Sequence, residues 1–126
     1  MKSIIFAMSF LVILPLTAIA ENFKISGELV VFENKDGLLV KGCEKECLAL
    51  KKVAEFKKIN LEKIRAKEPF HASIGSDVCR LVYKTGSLIG VTKEKDQRAF
   101  CVFKDNSLIE INSLSKYLID KKIVIE

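Results

Sequence analysis

Histidine occurs once in this chain of 126 residues, at position 71. One imidazole cannot assemble a multi-histidine metal site. It could act as a base for Ser73 or Ser76, its neighbours in sequence. The strained G-x-S-x-G turn that presents a catalytic serine is missing, however, and "SIGS" at 73–76 does not supply it. Phosphate-cradling glycine loops, dinucleotide fingerprints and calcium-loop spacings are also lacking. The 16 Asp and Glu residues single out no pair for glycoside hydrolysis. These absences leave the common catalytic classes without a signature, so no enzyme, metal or cofactor is expected, and His71 reads as an ordinary loop residue.

Charge of one sign is scarce too. Basic and acidic residues number 21 and 16, a net charge of +5. They are interleaved, as in "CEKECLALKKVAEFKK", whereas nucleic-acid binders cluster their positive charge. The pattern points to a solvated helix face, and no nucleic-acid partner is expected.

A long apolar run occurs only at the start, "MKSIIFAMSFLVILPLTAIA". Lys2 provides a positive end, Ile4 to Leu14 is apolar apart from Ser9, and Pro15 breaks any helix. Ala18 and Ala20 are the small residues a signal peptidase reads. The run is shorter than the roughly 18 apolar residues a spanning helix needs. Residues 1–20 are therefore expected to be a signal peptide of bacterial type, cleaved after Ala20. The product would be one domain, residues 21–126, in the periplasm or outside the cell, meeting the membrane only during export. No cysteine lies near the cleavage site to carry a lipid.

All four cysteines, Cys43, Cys47, Cys79 and Cys101, fall after that segment. An even number in an exported chain suggests two disulfides, with three pairings open. The preferred set is Cys79 with Cys101 and Cys43 with Cys47; a bridge across four residues is awkward inside a helix but feasible at a frayed first turn after Gly42. The two crossed pairings stay open. Closing the loop from 79 to 101 stabilises a small domain by about 3 kcal/mol in the chain-entropy model. Zinc and thioredoxin-type chemistry both favour C-x-x-C, and the spacing here is C-x-x-x-C.

Along the chain, "KISGELVVFE" (24–33) reads as one strand, "NKDG" as a tight turn and "LLVK" as the returning strand of a hairpin. Periodicity predicts a helix over 43–59, with Cys43 and Cys47 on its apolar face. Asn60 is placed to cap a short helix, "LEKIRAKE". "VCRLVY" would also suit a strand, but start and stop signals agree on a further helix that starts at Ser76–Asp77 and stops before Gly86. "SLIGVT", "RAFCVFK" and "SLIEI" then read as a β-meander turning at "KEKDQ" and at Asp105–Asn106. In its middle strand Ala99, Cys101 and Phe103 share one face and Arg98, Phe100, Val102 and Lys104 the other. "NSLSKYLIDKK" suits a short closing helix and "IVIE" a last strand or a frayed end. The expected class is α+β: an N-terminal hairpin and helix, then a helix and an antiparallel meander, stapled by disulfides.

Residues 70–114 resemble a family of small exported bacterial domains of unknown function, some labelled haemolysins. Its pattern is Cys, a helical stretch, Gly, a strand, a polar turn and Cys-x-Phe-x-Asp-Gly-Ser. Cys79, Gly86, Cys101, Phe103, Asp105 and Ser107 match. Asn106 stands where the family has glycine, and the family's later cysteine, its tryptophan and the paired glycines of its first helix are missing. The resemblance implies a small α+β fold with a helix bridged to a meander, and no activity.

These readings favour a non-catalytic exported module that binds or inhibits a protein or an envelope component. Its contacts are expected on the turns, at Lys35, Asp36, Lys93, Lys95, Asp96, Asp105 and Asn106. A small hydrolase using His71 and a membrane-active protein using the helix over 43–59 are the alternatives. Alkylation tests the sulfur framework: the protein should take up fewer than four labels before reduction and four after it, by intact mass. Four labels without reduction would mean open thiols.

Overall fold

The computed structural model describes residues 21–125; the expected signal segment lies outside them. The fold is mixed α+β with two disulfides. Three strands come first, β1 (Glu21–Ile25), β2 (Glu28–Lys35) and β3 (Leu38–Lys41). Helix α1 (Leu48–Glu55), strand β4 (Ile59–Asn60) and helix α2 (Leu61–Arg65) follow. Helix α3 (Ile74–Asp77) runs into a wider turn over Val78–Val82, in which Tyr83 N–H donates to Val78 O at 2.9 Å, five residues back. Strands β5 (Ser87–Val91), β6 (Gln97–Val102) and β7 (Leu108–Glu110), helix α4 (Ile111–Asp120) and strand β8 (Val124–Ile125) complete the chain.

Six strands close into an antiparallel barrel in the order β1-β2-β3-β7-β6-β5. The strands expected as a separate hairpin and meander thus belong to one closed sheet, which the sequence reading did not foresee. Closure comes from two long-range seams. Val40 of β3 pairs with Ile109 of β7, and Lys24 of β1 with Val91 of β5. A second, two-stranded sheet sets β4 parallel to β8.

Strand alternation divides the apolar residues between two cores. Phe23, Phe32 and Phe100 meet inside the barrel with ring centroids 4.9–5.2 Å apart, beside Ile25, Leu39 and Leu108. On the opposite face of β3, β6 and β7, Leu38, Val40, Cys101 and Ile109 pack under the helices with Val53, Leu61, Val78, Leu114 and Leu118. The wall β3-β7-β6 is therefore buried on both sides. The bridge Cys79–Cys101, with Cα atoms 5.9 Å apart, crosses this outer core and ties α3's extension to β6.

Several local expectations need correction. The single strand expected over 24–33 is split at Ser26–Gly27, whose φ angles of 53° and 82° turn the chain back on itself. The helix expected over 43–59 is confined to Leu48–Glu55. Cys43 and Cys47 lie before it, in irregular chain, and are joined with Cα atoms 5.0 Å apart. Helicity cannot begin earlier because Cys47 is itself the cap: it has extended backbone, and its sulfur accepts from Leu50 N–H at 3.4 Å. The helix expected to start at Ser76–Asp77 starts at Ile74, capped by Ser73, whose hydroxyl accepts from Ser76 N–H. It ends before Lys84, left-handed at φ 54°, and not at Gly86. Ile111, read as the end of a strand, opens α4. Asn60 does cap α2: its side-chain oxygen accepts from Lys63 N–H at 3.0 Å.

Gly90 shows how tightly the barrel closes. A Cβ there would lie 2.8 Å from both Ile25 and Phe100 side-chain carbons and 3.1 Å from Lys24 O. Gly86, four residues earlier, has open space around it. Gly90→Ala should therefore cost about 1–3 kcal/mol by overpacking, and Gly86→Ala less than about 0.5 kcal/mol. Urea unfolding of both variants checks the difference.

Candidate binding face

The helices cover one wall of the barrel and leave the other to solvent. Inward-facing Phe23 and Ile25 put Asn22 and Lys24 on the outside of β1. On β2 the outward residues include Leu29 and Val31, with Glu33 next along the strand, and on β5 they include Ile89 and Val91. Leu29, Val31 and Ile89 are 62%, 54% and 65% exposed. Cross-strand register sets Leu29, Lys24 and Val91 in one row, with Val31 beside Asn22 in the next. A groove of about 290 Å³ runs here, lined by Asn22, Lys24, Leu29, Val91, Thr92, Lys93 and Lys95. Three of its seven lining residues are lysines and none is an acid.

The turn that supplies Lys93 and Lys95 is ordered by its own hydrogen bonds. Thr92 N–H donates to Asp96 O at 2.9 Å, Lys95 N–H to Thr92 O at 3.0 Å and Asp96 N–H to the Thr92 hydroxyl at 3.1 Å. None of the ion pairs among the described residues takes Lys24, Lys93 or Lys95. The acids of this end, Glu21, Glu94 and Asp96, line the adjoining depression at the barrel mouth.

The other turns expected to make contacts leave Asp36, Asp105 and Asn106 exposed, and some of their groups also bond within the fold. Lys35 donates to Cys43 O at 2.6 Å, and Asp36 pairs with Lys121 at 3.0 Å. That hydrogen bond and the charge of Asp36 raise the Lys121 ammonium above its usual range. Asn106 takes the left-handed turn position, φ 67°. Asp105 and Ser107 serve helix α1. Asp105 Oδ2 accepts from Leu48 N–H at 2.7 Å and Ser107 Oγ from Ala49 N–H at 3.1 Å. With Cys47 on Leu50, and Lys51 N–H bonded to Cys47 O at 3.2 Å, the first helical N–H groups all have partners. The Asp-x-Ser portion of the motif is thus a cap delivered from a distant turn. The hydrogen bonds, first from the Ser107 side chain and then from the Leu48 and Ser107 N–H groups, pull the Asp105 carboxyl below its ordinary value.

His71 lies elsewhere, in an open cleft of about 560 Å³ with Leu61, Glu62, Arg65, Ala66 and Glu68. No hydroxyl or thiol lines it among the described residues, and the Ser73 hydroxyl is taken by Ser76 N–H at the start of α3. Behind the cleft Asp77, fully buried, accepts from Arg65 Nε at 2.6 Å and Ala72 N–H at 3.2 Å. Arg65 also donates to Ala72 O, and Arg80 bridges Glu68 to Asp77. These bonds brace the loop that carries Pro69, Phe70 and His71. All four cysteines are in bridges, and no group of acids, cysteines and histidine among the described residues is arranged to hold a metal ion. Burial raises the pKa of Glu110, at the barrel end near Arg98, although Asn112 and Ser113 N–H donate to its carboxylate at the start of α4.

No protein-family model, curated protein or solved structure matches the chain.

Asp105→Ala should lower stability at neutral pH by about 1 kcal/mol, the ordinary worth of a helix cap. The folded Asp105 titrates below its ordinary 3.8. Its contribution is therefore complete above that pH and fades as pH falls through the lowered value. Denaturant unfolding across acid pH should show wild type and variant converging; a constant gap would mean the carboxylate is not the acceptor.

Proposed function

We propose that this chain is an exported, disulfide-closed binding module that does no chemistry of its own and works through the outer wall β2-β1-β5. The observation that carries the reading is the placement of Leu29, Val31 and Ile89 in water on the one wall that the helices leave bare. Apolar patches of this kind mark interaction sites in proteins of this size. Rigidity suits the role. The bridge to β6 and the closed barrel hold the strands in place, so little ordering remains to be done on binding.

Export is supported by the same bridges, which persist in oxidising compartments, together with the leader-like composition of residues 1–20. No helix among the described residues is long and apolar enough to cross a membrane. Helix α1 packs Ala49 and Val53 into the outer core, which leaves no apolar face for a lipid surface. The family resemblance agrees with a small exported α+β protein and adds no activity.

A double variant, Leu29→Asp with Ile89→Asp, should keep the wild-type melting temperature and lose co-sedimentation with the envelope fraction of the producing cell. His71→Ala should retain it. If the double variant sediments as wild type does, or if His71→Ala removes a measurable hydrolytic activity while folding normally, the binding reading fails and the enzyme reading takes its place.

A further inference from the structure

We infer that the occupant of this face is an extended polypeptide segment in which acidic residues alternate with apolar ones; the inference rests on the binding reading above. Three features of the wall point to it.

The first is charge. Lys24, Lys93 and Lys95 line the groove without a carboxylate among its lining residues, and among the described residues none of the three has an ion-pair partner, although Lys93 also borders the depression that holds Glu21, Glu94 and Asp96. The groove therefore favours an anion. It also disfavours a second copy of this basic chain meeting it face to face.

The second is apolar area. Leu29 and Val91 are groove walls, and the exposed side chains of Val31 and Ile89 flank them. A bare polyanion would satisfy the lysines and leave these four side chains in water. An occupant that uses the whole face must carry apolar groups between its charges.

The third is geometry. β1 and β5 share a single paired position, Lys24 with Val91, whereas each pairs over five residues with its other neighbour. Strand β5 continues from Ile89 back to Ser87 past the Ser26–Gly27 turn, and among the described residues no strand is paired on that flank. Backbone groups are thus available beside the groove for an added strand. Outward side chains on these strands recur every second residue, about 6.8 Å apart. That is also the repeat of an extended peptide, so alternate apolar side chains can meet Val91 and Ile89 along β5, with Leu29 across β1 in the same row as Val91, while its carboxylates reach the lysines.

The test is titration of the isotopically labelled, oxidised protein with a synthetic peptide of alternating glutamate and valine, followed by NMR. Amide shifts should concentrate at Lys24, Leu29, Ser87–Ile89 and Val91. Lys24→Glu combined with Lys93→Glu, two solvent-facing changes, should weaken binding about tenfold or more. Polyglutamate should bind more weakly than the alternating peptide. Anionic phospholipid vesicles should not bind with the same residues protected. Shifts elsewhere, indifference to charge reversal, equal affinity for polyglutamate, or protection by vesicles alone would each overturn the proposal. If the peptide fails while the Leu29→Asp, Ile89→Asp variant still loses envelope association, the occupant is wrong and the binding face stands. If that variant also behaves as wild type, both fall.

Discussion

Strand β6 is the element on which both cores depend. Neighbouring side chains of a strand point to opposite faces, so Phe100 enters the barrel against Phe23 and Phe32, and Cys101 faces the helices and bonds to Cys79. One strand thus organises an aromatic interior on one side and a covalent anchor on the other. Phe103, just beyond it, joins Tyr83 in the outer core, with ring centroids 5.9 Å apart. The Phe-Cys-x-Phe run places a large or linking group on each face in turn, and removing any one of them would leave a hole in one core or the other.

That alternation was legible in the residues, as was the division of faces in β6, because a period of two survives in any strand whatever surrounds it. The capping role of Asn60 and the left-handed turn at Asn106 were legible for the same reason: both are local. Barrel closure was not. It depends on Val40 meeting Ile109 and Lys24 meeting Val91, contacts between segments far apart in the chain, which no local pattern announces. The helix start at Leu48 was hidden in a related way. Its N–H groups are capped by Asp105 and Ser107, so the signal for where it begins lies in another part of the sequence.

The binding face shows the same division between local and distant information. Turns are exposed as a class, which made Lys35, Asp36, Asp105 and Asn106 look as available as Lys93 and Lys95. Lys35, Asp36 and Asp105 each take a bond within the fold while Asp36, Asp105 and Asn106 stay exposed, and the turn at 92–96 is the turn that borders the groove. A linear pattern does not mark Leu29, Val31 and Ile89 as exposed, since a half-buried strand and an exposed apolar one have similar composition. Which face is covered follows from where the helices settle. They settle on β3-β7-β6 because Cys101, Val40 and Ile109 are there to receive them.

The pairing of β3 with β7 has a consequence for how the molecule comes into being. Ribosomes deliver the amino end first, so Phe23 and Phe32 emerge long before Phe100 and the strand that seals the gap. Until then β1, β2 and β3 form an incomplete ribbon in which Phe23 and Phe32 have each other and lack Phe100. Acquisition of the native state is accordingly a late, nearly all-or-nothing event, governed by loop closure over most of the polypeptide. Any truncation before Leu108 would leave two open edges and an interior without a lid.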